Sequence, residues 1–366
     1  MNFNFYLLKS FRILLLPFSL LYGLVIIIRN LLFDKNILKS SSFNLPLICI
    51  GNVSVGGTGK SPMVEYLLRM LQHRYKIATL SRGYKRKTRG YALAGASTTA
   101  LEIGDEPMQF YTKFPDVAVA VGEARLEAVP QLLHDKPDTQ VIVLDDAFQH
   151  RSITAGLNIL LTDYNNLFTR DFFLPTGDLR DQRSSYKRAE IIVVTKCPAT
   201  LTEDEKKSVT KEIAPLSHQK IFFCTTVYGL PYQIITRKKR QVNTDDEILL
   251  VCGIANPKPL KNYLLEHSHT YYDQLYSDHH IFTIDDLQEI KKKFTEIAAE
   301  HKMIITTEKD AVRLMKFEAE LNDLPLYVLP VEHFFLFEEG PVFEAGVVNF
   351  IENFSEKNKN HGQETT

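Results

Sequence analysis

From residue 45 onward, short apolar runs alternate with stretches whose apolar positions recur at helical spacing. The runs are Leu45–Ile50, Lys76–Leu80, Val117–Val121, Val141–Leu144, Leu157–Leu161, Glu190–Thr195 and Ile221–Thr225. Strands that are apolar at nearly every position are buried on both faces, and parallel neighbours need a crossover between them, usually a helix. The pattern predicts a parallel α/β domain over residues 45–225. It breaks over 226–246, where the basic run Arg237–Arg240 precedes Asp245, Asp246 and Glu247, and this reads as a linker or hinge. Ile248–Cys252, the amphipathic stretch Ile284–Ala299, Met303–Thr306, a helix near Asp310–Phe317 and Leu326–Leu329 predict a second, smaller α/β domain over 247–355. The polar, aperiodic residues 356–366 read as a disordered tail.

The N-terminal residues 1–44 depart from this pattern. Ile13–Ile28 carries no charge and is bracketed by Arg12 and Arg29. As a helix it reaches about 24 Å, short of a hydrocarbon core of roughly 30 Å. No small-residue cleavage site follows it, so it does not read as an export signal. Lys9, Arg12, Arg29, Lys35 and Lys39 against Asp34 alone suit an anionic cytoplasmic leaflet. A monotopic membrane helix is the first reading, a short span the second, and a buried core helix the third.

Composition narrows the function classes. A chain of 366 residues with 45% hydrophobic and 24% charged residues has material for two folded domains. Lys and Arg total 43 against 44 for Asp and Glu, which tells against a dedicated nucleic-acid binder. Cys49, Cys197, Cys224 and Cys252 lack metal-site or disulfide-scaffold spacing and fit a reducing compartment. No obligate protein partner is evident.

The strongest chemical signal follows the first strand, in Gly51-Asn-Val-Ser-Val-Gly-Gly-Thr-Gly-Lys-Ser-Pro62. A glycine-rich turn lets backbone N–H groups converge on a polyphosphate, with a lysine for the β- and γ-phosphates and a hydroxyl for magnesium. Ser54, Val55, Gly56, Gly57, Thr58, Gly59, Lys60 and Ser61 are the nucleotide-binding candidates; Ser54 stands where the strict pattern has glycine. A magnesium site also needs a carboxylate at the end of a neighbouring strand, and Val141-Ile-Val-Leu-Asp-Asp146 offers Asp145 and Asp146. Thr195-Lys-Cys-Pro198 lacks the aspartate of a guanine-reading N-K-x-D motif, so ATP is favoured over GTP. Arg125, after a strand end, is a candidate for stabilising phosphate charge.

Several further motifs complete a resemblance. Ser81-Arg-Gly-Tyr84, Gly104-Asp-Glu-Pro107, Asp145-Asp-Ala-Phe-Gln-His150, Leu174-Pro-Thr-Gly177 with Leu179-Arg180, and Asp278-His279, together with the glycine-rich loop, resemble the tetraacyldisaccharide 4'-kinases of lipid A biosynthesis. The order and spacing match over most of the chain. Ala147 and Ser61 depart from the usual Gly and Thr. The resemblance implies a P-loop kinase with a smaller second domain and an N-terminal membrane helix. It implies transfer of the ATP γ-phosphoryl group to the 4'-hydroxyl of a tetraacyldisaccharide 1-phosphate, at the cytoplasmic face of the bacterial inner membrane. It also implies Asp105 as catalytic base partnered by His279, Glu106 among the magnesium ligands with Ser61, Asp145 and Asp146, and Gln149, His150 and Arg180 near the acceptor. The basic clusters around Arg82–Arg89 and Arg180–Arg188 would meet the phosphorylated lipid. Two other readings keep the loop: a membrane-tethered P-loop switch controlling a partner, and an ATP-using carboxylate-activating enzyme.

Overall fold

The computed structural model describes residues 12–363. Each strand run expected over 45–225 forms within a few residues of its place: β1 (Leu47–Gly51), β2 (Ile77–Ser81), β4 (Ala118–Val121), β5 (Val141–Asp145), β6 (Leu157–Asp163), β7 (Ile191–Thr195) and β8 (Lys220–Tyr228). A short β3 (Ala92–Leu93) adds an edge. The smaller sheet holds β9 (Tyr232–Gln233), β10 (Glu247–Cys252), β11 (Thr270–Leu275), β12 (Lys302–Thr307) and β13 (Leu326–Leu329). The last strand, β14 (Val331–Phe335), returns to the larger sheet.

The nine-stranded sheet runs β14-β8-β7-β6-β1-β5-β2-β4-β3, and the five-stranded sheet runs β11-β10-β12-β13-β9. β1 is parallel to β5 on one side and β6 on the other, with Ile50 opposite both Asp145 and Ile159. The glycine-rich loop and the paired aspartates thus leave adjacent strands at the same, carboxyl-terminal edge, where ligands sit in open α/β sheets. β1, β5 and β7 are buried at every position, as their unbroken apolar sequences require. On one face, the loop helix Lys60–Leu71 and the C-terminal helix Gly340–Gln363 cover Ile48 and Ile159 with Met63, Leu67, Phe343, Val347 and Ile351. On the other, Val129 and Leu132 pack on Leu80 and Ile142.

The domain boundaries differ from the sequence expectation. Residues 226–246 are not a free linker, because β9 pairs with β13 and Tyr232 bridges to Lys239. The smaller sheet ends at Leu329 rather than extending to 355: Pro330 alone separates β13 from β14, which pairs antiparallel with β8. The apolar stripe Phe343, Val347 and Ile351 explains why the following helix belongs to the large sheet. That helix continues to Gln363, through most of the stretch expected to be disordered; residues 364–366 lie outside the described residues.

The anchor helix, Leu16–Asp34, has its polarity reversed relative to a helix of a water-soluble domain. Phe18, Leu20, Leu21, Leu24, Val25, Ile28 and Leu31 are exposed, while Ser19, Gly23 and Asn30 are buried against the protein. Ser19, Tyr22, Gly23, Ile26 and Asn30 fall at helical spacing, so one stripe docks and the rest of the surface is apolar. Ser19 Oγ donates to the Phe173 carbonyl at 2.6 Å, and Tyr22 donates to that of Arg180 at 3.1 Å. The Asn30 amide donates to buried Asp181 at 2.8 Å. Gly23 lets Phe173 approach, since a Cβ there would lie 2.6 Å from its ring. Arg12 and Arg29, expected to face lipid headgroups, turn inward instead. Arg12 pairs with Asp178 at 2.8 Å and Arg29 donates to the Gln149 carbonyl at 2.8 Å. The buried-helix reading therefore fails, and the positions before residue 12 lie outside the described residues.

Asn30→Leu is expected to lower stability by about 1–3 kcal/mol, because it leaves polar groups of the docking stripe without a partner. The measurement is the midpoint of unfolding in detergent. An unchanged midpoint would show that this hydrogen bond does not hold the helix in place.

Candidate active site

The phosphate loop is pinned from behind by a second loop. Val55 N–H donates to the Asp178 carbonyl at 2.7 Å, and the Arg180 N–H donates to that of Val53 at 2.8 Å. The Asn52 side chain donates to Thr58 Oγ1 at 2.8 Å and so closes the turn from within. Gln149 Nε2 donates to the Asn52 carbonyl at 2.7 Å. Around Gly56 and Gly57 no atom lies within 4 Å of where a Cβ would stand, so the crest of the loop faces open space. The sequence from Ser54 to Ser61 thus folds as a loop leading into a helix, with Lys60 in its first turn.

Lys60 Nζ is 3.7 Å from Asp146 and 3.4 Å from Asn52 Oδ1. Burial pulls the Lys60 pKa below its ordinary range, with Asp146 acting in the opposite direction. Asp146 has a left-handed backbone, φ 49°, and its carboxylate takes both terminal nitrogens of Arg180, one at 3.1 Å. Burial alone would raise the Asp146 pKa, yet the Arg180 hydrogen bonds and the Lys60 charge bring it down to about 2. Asp145 is the opposite case. Burial, then the neighbouring Asp146, pushes it up to about 6. Its Oδ2 accepts from Ser81 Oγ at 3.3 Å, whereas Oδ1 is buried with no protein partner.

Across the seam between the two sheets, the acid helix Asp105–Lys113 of the large lobe meets the clasp helix Glu308–Leu314 of the small one. Asp105 Oδ2 accepts from Arg313 Nη2 at 2.6 Å and lies 3.1 Å from His279 Nδ1. Glu106 accepts from Lys309 at 2.6 Å. Farther along, Lys113 pairs with Glu65 of the loop helix and with Glu308. Burial raises the pKa of both Asp105 and Glu106, but Arg313 and His279 on the first and Lys309 on the second outweigh it and hold both carboxyls below the ordinary range. His279 also has a left-handed backbone, φ 61°, and is tied through its N–H to the Gly253 carbonyl at 3.3 Å. Its Nδ1 lies 3.1 Å from Arg313 as well. One nitrogen cannot both donate to Asp105 and accept from Arg313, so a proton on Nδ1 leaves Nε2 as the acceptor.

The structure brings Lys60, Asp145, Asp146 and Arg180 together, and separately Asp105 with His279. Other expectations change. Arg125 does not reach into the open site: it is 1% exposed and donates to the carbonyls of Gly122 and Asp145, so it braces the strand end. Glu106 is taken up by Lys309, and no cluster of three metal-ligating side chains occurs among the described residues. Gln149 and Arg180 are committed to the phosphate loop. His150 is half-buried, and burial, then Arg125 and Arg82, pulls its pKa down to about 4. In the second basic cluster, Arg183 and Arg188 bind Asp171 and Asp181. Arg313 and Lys309 were missed; their i,i+4 spacing after β12 marks one helix face, but nothing local names their acidic partners.

Comparisons with known proteins point to one family. The model of the tetraacyldisaccharide-1-P 4'-kinase family matches residues 11–350. A tetraacyldisaccharide 4'-kinase of Bacteroides thetaiotaomicron is 42% identical, over 95% of this chain and 97% of that protein. One of Flavobacterium johnsoniae is 45% identical, over 93% and 97%. The crystal structure of LpxK from Aquifex aeolicus in complex with ATP superposes with a TM-score of 0.72 at 26% identity, covering 93% of this chain and 99% of that one.

The Glu106–Lys309 pair gives a pH dependence of known sign. A carboxyl whose folded pKa is depressed stabilises the fold above its ordinary value of about 4, and the contribution disappears as pH falls through the folded value. The difference in unfolding midpoint between wild type and Glu106→Gln is expected to be full at pH 7 and to vanish in that acid window. A difference independent of pH would refute the ion pair.

Proposed function

This chain belongs to the tetraacyldisaccharide-1-P 4'-kinase family, and from that premise we propose that it transfers the γ-phosphoryl group of ATP to the 4'-hydroxyl of a tetraacyldisaccharide 1-phosphate in lipid A biosynthesis. One observation carries the proposal: the Asp105–His279 pair spans the seam between the lobes, and Glu106 next to Asp105 lies close enough to act on the charge of Lys60 in the phosphate loop, so donor and acceptor can meet there. Lys60 and the loop N–H groups bind the β- and γ-phosphates, and Arg180 keeps Asp146 ionised beside them.

The family resemblance implies Asp105 as the base. A carboxylate held down by Arg313 is a weak base, so the roles are better divided. Asp105 orients His279 through Nδ1, and His279 Nε2 accepts the proton of the acceptor hydroxyl as its oxygen bonds to phosphorus and the bond to ADP breaks. The Oδ1 of Asp145, buried without a hydrogen-bond partner, suits a divalent cation, with Ser61 as the second protein ligand. Magnesium, when bound, neutralises charge on the phosphate oxygens.

The exposed apolar face of the anchor helix supports a monotopic seat on the cytoplasmic leaflet of the inner membrane. Phe172, 57% exposed on the loop beneath that helix, extends the same surface. A span is disfavoured because the docking stripe would have to leave the protein.

Mass spectrometry of lipids after incubation with ATP, magnesium and the disaccharide 1-phosphate is expected to find a product heavier by one phosphate. ATP consumption without that product would favour the switch reading. Asp105→Ala and His279→Ala should each lower kcat by about 10²- to 10⁴-fold and be strongly non-additive, as expected for residues acting on one proton; multiplicative losses would refute the pairing. Changing Leu20, Leu24 and Ile28 together to Ser should abolish co-sedimentation with anionic vesicles. Full co-sedimentation would place the membrane contact elsewhere.

A further inference from the structure

The crossing from β13 to β14 supplies one side chain to the phosphate loop. His333, on the buried side of β14, has its Nε2 2.8 Å from the Gly59 carbonyl. A carbonyl only accepts, so Nε2 carries the proton and donates. Burial pulls the imidazole pKa below its ordinary range even with the Gly59 and Thr225 carbonyls alongside. The ring is therefore neutral, and Nδ1 is left to accept from the Cys224 thiol 3.5 Å away. Burial raises the pKa of that thiol well above its ordinary value, which keeps its proton available.

The fit between ring and loop is tight. A Cβ on residue 59 would stand 2.7 Å from the His333 ring, and Gly59 has φ +80°, which favours glycine independently. The ring occupies the space that a side chain at 59 would claim. One residue earlier, the single proton of Thr195 Oγ1 is shared between the Thr58 carbonyl at 3.0 Å and the Thr162 carbonyl at 3.2 Å. Two successive carbonyls of the loop thus receive a side-chain donor from the sheet, that of Thr58 from β7 and that of Gly59 from β14, the latter also accepting the Met63 N–H at 3.2 Å as the first bond of the loop helix.

In a trans peptide the C=O and the following N–H point in opposite directions. Holding the Thr58 carbonyl aims the Gly59 N–H away from Thr195, and holding the Gly59 carbonyl aims the Lys60 N–H away from His333. Both donors then belong to the phosphate-facing side. We propose that His333 is a positioning residue for the nucleotide, which by fixing the Gly59 carbonyl directs the Lys60 N–H at the phosphates. The proposal rests on residues 51–61 being the ATP site. It assigns His333 no contact with substrate.

The test compares His333→Leu and His333→Gln with wild type in the full-length, detergent-solubilised protein, measuring ATP dissociation constants and KM for each substrate. Glutamine can place an amide nitrogen near the position of Nε2. The leucine variant is expected to bind ATP about tenfold more weakly, as for loss of one buried hydrogen bond. Its KM for the lipid acceptor should stay within about twofold, and glutamine should restore most of the ATP affinity. Thr195→Val, which removes the companion bond with little change of volume, should also weaken ATP selectively, and it serves if the leucine variant does not fold. Wild-type ATP affinity in His333→Leu, equal losses for both substrates, or a glutamine variant as poor as leucine would each overturn the proposal. Failure of the wild type to bind ATP would instead overturn the nucleotide-site reading on which it rests.

Discussion

Arg180 is where the parts of this molecule meet. Its guanidinium holds Asp146 and Asn52, its N–H supports the phosphate loop at Val53, and its carbonyl receives Tyr22 of the anchor helix. Without it, Asp146 would be a half-buried carboxylate with only Lys60 in reach at 3.7 Å, and Asn52 Oδ1 would keep only the 3.4 Å contact from the same lysine. The local balance is telling. Lys60, Arg180 and the braced Arg125 face Asp146 and a carboxyl, Asp145, that burial drives toward neutrality. The site is organised around cations, as a site awaiting a polyanion should be.

The seam between the lobes follows a different logic. The acid helix presents Asp105, Glu106 and Lys113, and the clasp helix answers with Arg313, Lys309 and Glu308. Contacts between lobes that are mostly ionic can part without uncovering a large apolar surface, which suits a cleft that must admit a bulky headgroup. The acceptor-side pair, Asp105 and His279, belongs to this interface. Its geometry therefore exists only when the lobes are together, because Asp105 comes from one and His279 from the other.

Much of this was readable along the chain. Strands buried on both faces announce themselves as unbroken apolar runs, and β1, β5 and β7 formed where those runs lay. β11 was missed because Thr270–Leu275 is a largely exposed edge whose tyrosines and aspartate carry no clear period. β14 was missed because the return of the chain to the first sheet after Pro330 leaves no local mark. Loop chemistry was legible for the same reason: the Gly51–Pro62 motif encodes its own backbone. Partner choice was not. That Arg125 would brace a strand, that Gln149 would hold Asn52, and that Arg313 would reach Asp105 depend on elements far apart in sequence.

The reversed polarity of the anchor helix has a consequence in time. Ser19, Tyr22 and Asn30 find their partners 154, 158 and 151 residues later in the chain. At synthesis rates of about 5–20 residues per second, the helix leaves the ribosome on the order of ten seconds before those partners exist. During that interval its apolar surface can already enter lipid, while its polar stripe has only water and headgroups to bond. On the proposed membrane seat, lipid is thus the first surface the helix meets, and the kinase lobe is assembled afterwards onto a helix already in place.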